Sequence, residues 1–131
     1  DTQAFNQVMD AFRLNRKTKE QKAKRIAAIE DATKEASLIP FEVMEKCVDA
    51  LKLAKEVALT GNKNSISDAG VAGLTAQAGA EGAYYNVMIN LLDINDKKFK
   101  SDFSTKARGL KEDAVKLGNE IREIIEKALL E

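Results

Sequence analysis

Two carboxamides, Asn86 and Asn90, stand four residues apart in an otherwise apolar stretch of the sequence. Residues at this spacing share one face of an α-helix, and the neighbours here are Val87, Ile89 and Leu91. A buried carboxamide without hydrogen-bond partners is costly, so either the protein or a bound molecule must satisfy the pair. The sequence leaves two interpretations open: mutual hydrogen bonds that lock helix packing, or a helix face turned toward a ligand.

Other side chains that could do chemistry lie close by in the sequence. Tyr84 and Tyr85 precede the pair and bring a phenol beside the amides. Asp68 follows the loop GNKNSIS at 61–67, and it fits either an ordinary first-turn acid of a helix or a carboxylate that contacts a ligand. The sequence contains no His, the commonest general base near neutral pH, and Cys47 alone cannot build a thiolate metal site. Any reaction must therefore use carboxylates, amides, hydroxyls, phenols or amines.

The composition narrows the classes of partner. Lys+Arg and Asp+Glu number 21 each, so no net field attracts nucleic acid or an anionic membrane. Apolar residues make up 44% and charged residues 32%, which is typical of a folded domain. No apolar run reaches the roughly 20 residues that a membrane span needs. We expect a cytoplasmic protein that binds neither nucleic acid nor membrane.

The spacing of apolar residues predicts helices throughout. The first is expected from Asp1 to about Leu14, and Thr18 with Gln21 predicts a capping box that starts the next. An apolar seam then recurs every three or four residues through Pro40, which predicts two nearly collinear segments meeting there. The seam comprises Ile29, Ala32, Ala36, Ile39, Val43, Cys47, Ala50, Ala54 and Val57. Gly61 is expected to end this run as a residue that tolerates positive φ.

Two more helices complete the predicted fold. A third is expected from about Asp68 to Leu92; its four glycines (70, 73, 79 and 82) predict close approach of another backbone or a ligand. Small residues at 72, 76, 79 and 83 form a stripe along it. After Asn95-Asp96 a last helix carries a heptad seam that could pair within the chain or across a dimer. Its members are Phe103, Ala107, Leu110, Ala114, Leu117, Ile121, Ile124 and Ala128. The predicted fold is an all-α bundle of long antiparallel helices, spanning 1–131 as a single domain.

Three strings in this order and spacing resemble a known family. They are Asp1-Thr-Gln-Ala-Phe-Asn at 1–6, GNKNSISDAGVA at 61–72 and GAYYNVMINLLDI at 82–94. Together they resemble the formimidoyltetrahydrofolate cyclodeaminases and bacterial methenyltetrahydrofolate cyclohydrolases, whose pattern also fits Ile39-Pro40-Phe41 and Lys24-Arg25. The resemblance implies a helical homodimer that uses no metal and no redox cofactor. Its implied substrate is a one-carbon tetrahydrofolate, whose ring is closed or opened at N5/N10.

The same resemblance implies roles for individual residues. It makes Asp1 the catalytic proton acceptor. The matching polar positions for substrate binding are Asn62, Ser65, Asp68, Asn86 and Asn90, with Tyr84 or Tyr85 as a wall. The short basic run Lys22, Lys24 and Arg25 is expected to meet the glutamate tail of the folate, which can be polyglutamylated.

Two further expectations follow. Family members carry a helical segment before the catalytic aspartate, so the resemblance predicts a domain that lacks its amino-terminal portion. At the terminus, Asp1 would lie beside an α-ammonium group that lowers its pKa and its basicity. The alternative from another class is a non-catalytic helical oligomerisation module, for which the heptads would serve equally well.

Overall fold

A computed structural model describes residues 2–131 as four α-helices joined by short connections. The helices are α1 (Thr2–Phe12), α2 (Lys19–Thr60), α3 (Ile66–Leu92) and α4 (Lys97–Leu130), with a 3-10 turn at Lys63–Ser65. α2, α3 and α4 pack against one another, and α1 packs on α2. Within residues 2–131 there is no strand, so the predicted all-α class is confirmed. None of the helices described is long and apolar enough to cross a membrane.

The helix starts follow their side-chain caps. Thr18 Oγ1 accepts a hydrogen bond from the Gln21 N–H, and Gln21 Oε1 accepts from the Thr18 N–H, which confirms the predicted capping box. At the start of α4, Asp96 Oδ1 accepts from the Phe99 N–H at 3.0 Å, as the Asn95-Asp96 pair predicted. α3 begins at Ile66, two residues before the predicted start, because the 3-10 turn shortens the expected loop.

α2 does not break at Pro40. The expectation of two segments was wrong: one helix runs from Lys19 to Thr60 with the proline inside it. Proline removes one backbone hydrogen bond from a helix interior, and tertiary packing can offset that loss. Here Ser37 and Met44, on either side of the proline, are both fully buried. Packing of the same helix face before and after Pro40 therefore holds α2 continuous.

The buried face of α2 lies about one position after the predicted seam. Val43 and Val57 of that seam are 45% and 43% exposed. The buried positions are Thr33, Ser37, Met44, Val48, Leu51, Ala54 and Ala58. Two adjacent stripes of α2 are apolar and only one can face the core. Periodicity alone selected the wrong one, except at Ala54, which was predicted and is buried. The predicted stripe is left as an apolar surface beside α3.

The heptad seam of α4 packs within the chain. Phe103, Ala107, Ala114 and Ile121 are buried and belong to two core clusters shared with α2 and α3. Ala128, at the end of the seam, is exposed. The seam is therefore explained by the folding of one chain, and it gives no support to a coiled coil between chains.

Gly61 ends α2 without a positive φ. Its φ is −75° and its ψ is 172°, so the expected left-handed conformation is absent there. The Gly61 N–H donates to the Val57 carbonyl at 2.7 Å, and a Cβ atom at Gly61 would overlap that same oxygen. Glycine is required here by the close approach of a carbonyl rather than by conformational freedom.

The glycines of α3 admit side chains of its neighbours. A Cβ atom on Gly73 would lie 2.9 Å from Cγ2 of Ile121, and one on Gly79 would lie 3.0 Å from Sγ of Cys47. The predicted close approach is thus present at these positions, although side chains make it instead of a backbone or a ligand. Gly82 is different, because a Cβ atom there would meet nothing within 4 Å.

A carboxylate from α2 holds the α3–α4 connection. Glu30 accepts hydrogen bonds from the backbone N–H groups of Asn95, at 2.9 Å, and Asp96, at 2.8 Å. Lys34 pairs with the Asp96 carboxylate at 2.8 Å. The hydrogen bond from Asn95 N–H is the main cause that lowers the pKa of the Glu30 carboxyl below its ordinary value of 4.5. Glu30 therefore ties the end of α3 to α2.

We expect Gly73→Ala to destabilise the fold by about 1–2 kcal/mol, since the added methyl overpacks against Ile121, which is β-branched and 1% exposed. Gly109→Ala is the control in the interior of α4, where a Cβ atom meets nothing within 4 Å. It should raise stability by about 0.5–1 kcal/mol through helix propensity alone. Urea unfolding measures both changes, and an equal gain for the two variants would contradict this account.

We expect acid to weaken the fold through Glu30. A carboxyl whose folded pKa is lowered stabilises the protein above its unfolded pKa, and this stability is lost as pH falls from about 4.5 through the folded value. Glu30→Gln should cost about 1 kcal/mol at pH 7, because a charge-assisted bond becomes neutral, and it should flatten the loss of stability below pH 4.5. The control is Glu35→Gln, an exposed glutamate of the same helix. Identical acid profiles for wild type and Glu30→Gln would refute the role of this carboxylate.

Candidate functional site

A groove runs between α2 and α3 and is closed at one end by α1. α2 and α3 are antiparallel, so the stripe of α2 that the core does not cover faces the small residues of α3. The part of the groove near α1 has a volume of about 710 Å³. Its walls are Phe5, Val8, Ala36, Ile39, Pro40, Val43, Gly79, Gly82, Ala83, Asn86, Ile89 and Asn90.

The groove continues toward the other end of α3. A second part of about 640 Å³ shares Ile39, Val43 and Gly79 with the first. It adds Glu42, Lys46, Cys47, Ala50, Ala72, Thr75 and Ala76. Both volumes lie within the usual range for small-molecule sites, and the walls are apolar apart from a few polar groups.

Both predicted carboxamides line the groove. Asn86 is exposed and Asn90 is half-buried, so neither is enclosed as their apolar neighbours suggested. The reason is that the part of the chain described, residues 2–131, leaves this face of α3 uncovered. Within those residues neither amide side chain has a hydrogen-bond partner, so mutual bonding that locks packing is not observed. The two amides are the polar side chains that line the part of the groove near α1.

The three residues of the GNKNSISD segment that were predicted to bind substrate lie at the opposite end of α3. Asn62 caps the 3-10 turn, where its Oδ1 accepts from the Asn64 N–H at 3.0 Å, and Ser65 Oγ donates to the Asn62 carbonyl. Asp68 is exposed in the first turn of α3. It is 18 residues before Asn86, or about 27 Å along the helix at 1.5 Å per residue. One chain therefore does not bring these residues to the amides, and their substrate role stays a prediction.

The two tyrosines point away from the groove. Tyr84 packs against the core toward α4, where Lys111 Nζ lies 5.0 Å from the ring centroid. Tyr85 is 64% exposed on the outer face of α3. Neither ring is among the residues that line the groove of one chain, so their role as a wall also stays a prediction.

The basic run on α2 splits between two uses. Arg25 joins α1 to α2: its Nε donates to the Phe12 carbonyl at 3.1 Å and its guanidinium lies 5.4 Å from the Phe12 ring centroid. Lys22 and Lys24 are exposed and line neither part of the groove. Lys46 is the lysine that lines it, one helix turn after Glu42. The sequence analysis missed Lys46 because nothing in its spacing distinguishes it from the many other exposed lysines of the helices.

The catalytic residue expected at position 1 lies outside the described residues. The structure does place Phe5 and Val8, later on the same helix, in the groove with Asn86 and Asn90. Burial raises the pKa of the Cys47 thiol at the groove wall, which favours its protonated form. In the part of the chain described, residues 2–131, no group of three or more Cys, Asp or Glu could hold a metal ion.

The part of the groove near α1 offers hydrogen bonds and apolar contact. Its carboxamides donate and accept hydrogen bonds but do not titrate, whereas Glu42, Lys46 and Cys47 line the other part of the groove. The arrangement suits a flat ring system with a polar edge against Asn86 and Asn90.

Comparison with known proteins points to one group. The sequence model of the formiminotransferase-cyclodeaminase family matches residues 1–109. A methenyltetrahydrofolate cyclohydrolase of Methylorubrum extorquens is 39% identical over 125 residues, which cover 95% of this chain and 60% of that protein. A formimidoyltransferase-cyclodeaminase of Gallus gallus is 36% identical over 114 residues, covering 87% of this chain and 21% of that protein. The chain thus spans only part of the length of these relatives.

A solved structure shares the fold. The formiminotetrahydrofolate cyclodeaminase of Thermotoga maritima superposes with a TM-score of 0.82 at 24% identity, covering 97% of this chain and 59% of that one. At this identity the likeness concerns the fold alone. It confirms that the helical arrangement described above occurs as part of a longer chain.

Proposed function

The chain belongs to the formiminotransferase-cyclodeaminase family, and we propose that it acts on carbon–nitrogen bonds at N5 and N10 of a one-carbon tetrahydrofolate. The observation that carries the proposal is the groove between α2 and α3. It holds the two carboxamides of the family string GAYYNVMINLLDI, and its size and apolar walls suit a pterin ring.

The reaction we favour is hydrolysis of 5,10-methenyltetrahydrofolate to 10-formyltetrahydrofolate. In this reaction water adds to the bridging carbon and the bond from that carbon to N5 breaks. The support is the 39% identity to a cyclohydrolase across 95% of the chain, against 33–36% for formimidoyltransferase-cyclodeaminases of Sus scrofa and Gallus gallus. The second candidate is cyclodeamination of 5-formimidoyltetrahydrofolate, in which N10 attacks the formimidoyl carbon and ammonia leaves; the name of the matched family favours it.

Each reaction needs a base at the one-carbon centre and a proton for the departing nitrogen. We assign the base to Asp1, in the family pattern Asp-x-x-Ala-Phe. Asn86 and Asn90 then orient the pterin, because a carboxamide can match a ring edge that carries both a donor and an acceptor. No metal and no redox cofactor enter this proposal.

We propose that the functional unit is a homodimer formed through the outer face of α3. α3 exposes a row of large apolar side chains between the helix faces that pack on α2 and α4, with Leu74 at the edge next to α4 and Ile89 at the edge next to the groove. The row consists of Val71, Leu74, Tyr85, Ile89 and Leu92. Burial of this row against the same row of a second copy would give a self-complementary interface.

Such a dimer would also reunite the predicted site. If the two copies of α3 cross antiparallel about Ala78, position 68 of one copy lies level with position 88 of the other. Asp68 would then approach the groove that holds Asn86 and Asn90 of the second copy. The separation of about 27 Å within one chain is thereby removed.

Two finer assignments complete the proposal. The folate carries its glutamate, or a chain of them, toward Lys46, the lysine of the groove, with Glu42 as a repelling neighbour that limits the affinity. The protein works in the cytoplasm, where its free thiol Cys47 stays reduced.

The alternative of a non-catalytic oligomerisation module has lost its main support. Its argument was the heptad seam of α4, and this seam is buried against α2 and α3 of the same chain. A pure scaffold would also gain nothing from two carboxamides without hydrogen-bond partners in the described residues.

We expect the purified chain to consume 5,10-methenyltetrahydrofolate, seen as loss of the absorbance of the methenyl bridge. Asn90→Ala should lower kcat/KM about tenfold, the effect of one hydrogen bond to the substrate. Asn119→Ala, an exposed carboxamide on α4, is the matched control and should leave kcat/KM unchanged. Release of ammonia from 5-formimidoyltetrahydrofolate would select the second reaction. If the wild-type chain neither binds nor converts either folate, the proposal is wrong.

We expect light scattering to give the mass of two chains for the wild type. Replacing Leu74 and Ile89 together by Glu should give the mass of one chain, because four carboxylates would be buried in the interface. Leu53→Glu, equally exposed but on α2, is the control and should leave the dimer intact. A wild-type mass of one chain at all concentrations would exclude this interface, and so would equal disruption by the control.

A further inference from the structure

We propose that the backbone carbonyl of Ala36 is a hydrogen-bond acceptor for the 2-amino group of the bound pterin, made available by Pro40. The inference rests on the proposed function, since it names the part of the folate that this end of the groove recognises. The inference gives a binding role to Pro40, which destabilises the interior of a continuous helix.

The chemistry of the backbone singles out this carbonyl. In an α-helix the carbonyl of residue 36 accepts its hydrogen bond from the N–H of residue 40. Residue 40 is proline, which has no N–H, and α2 nevertheless continues through it from Lys19 to Thr60. The oxygen of Ala36 therefore loses its regular helical donor in the middle of an otherwise intact helix.

The residue that carries this carbonyl lines the groove. Ala36 and Pro40 both line the part of the groove that holds Asn86 and Asn90. The groove thus combines an oxygen that only accepts with two amides that both donate and accept. All three lie at the same end, next to α1.

Side-chain hydroxyls donate hydrogen bonds to other backbone carbonyls of α2 but not to the carbonyl of Ala36. Thr33 Oγ1 donates to the Ile29 carbonyl at 2.7 Å, and Ser37 Oγ donates to the Thr33 carbonyl at 2.9 Å. Both hydroxyls lie on the buried face of α2, whereas Ala36 faces the groove. Among residues 2–131 no side-chain hydrogen bond to the Ala36 carbonyl is present.

The hydrogen-bonding edge of a reduced pterin matches this set of groups. The edge carries the 4-oxo group, which accepts, followed by N3–H and the 2-amino group, which donate. A single carboxamide can pair with the 4-oxo group and N3–H together, as the side chain of Asn86 or Asn90 could do. The 2-amino group then requires an additional acceptor, and among residues 2–131 the Ala36 carbonyl is an acceptor-only group at that end of the groove.

The test uses Pro40→Ala, which restores an N–H that bonds to Ala36 and so withdraws the acceptor. In the full chain, this variant should bind 5-formyltetrahydrofolate about three- to tenfold more weakly than the wild type, the range of one hydrogen bond. Its thermal unfolding midpoint should rise, because alanine suits a helix interior better than proline. A gain in stability with a loss of affinity is not expected of a proline whose only role is structural.

A second ligand separates the missing acceptor from a change in helix shape. The 2-desamino analogue of 5-formyltetrahydrofolate lacks the proposed donor, so wild type and Pro40→Ala should bind it equally. Leu38→Ala, an exposed position of α2 outside the groove, is the control and should leave both affinities unchanged. Equal binding of 5-formyltetrahydrofolate by wild type and Pro40→Ala would overturn the inference, as would equal weakening of both ligands. If the wild type binds no folate at all, the proposed function and this inference fall together.

Discussion

The close antiparallel contact between α2 and α3 is the constraint on which the rest of the structure depends. α3 brings small residues to this contact, and its glycines admit Ile121 of α4 and the sulfur of Cys47 from α2. Because the side chains of α3 at this contact are small, they cannot cover both apolar stripes of α2. One stripe of α2 becomes core and the adjacent stripe becomes the wall of a groove. The core and the candidate site therefore both result from the small side chains of α3.

Much of the fold could be predicted from sequence because the relevant signals are local. Thr18 and Gln21 cap α2 as their spacing indicated, and Asp96 starts α4. The heptad residues of α4, such as Phe103 and Ile121, are buried as expected. The failures concern competition between local preference and packing. Pro40 was expected to divide α2, and only the burial of residues on both sides of it, which depends on α3, keeps the helix whole.

Part of the candidate site could also be predicted from signals that are local in the sequence. Asn86 and Asn90 share a helix face by spacing alone, and both line the groove. The matching sequence strings, by contrast, do not give the distance in space between residues at the two ends of a long helix. Asp68 belongs to the same resemblance as the amides, yet α3 holds it about 27 Å away at the far end of the helix, a distance that the sequence resemblance does not reveal. Ile39 and Val43 belong to the stripe of α2 that was predicted to face the core. They line the groove instead.

The attachment of α1 has a consequence for how the groove opens. α1 buries only Ala4 and Ala11 and packs on α2, with Arg25 holding its last turn through Phe12. Local unfolding free energy scales with the apolar area that a segment buries, so α1 should detach in a separate, low-energy step while the other three helices stay folded. Phe5 and Val8 would leave the groove in that step. The amide hydrogens of α1 would then exchange with solvent sooner than those of α2. Because α1 forms the end wall of the groove, its detachment about the connection between Arg13 and Thr18 would open the groove at that end.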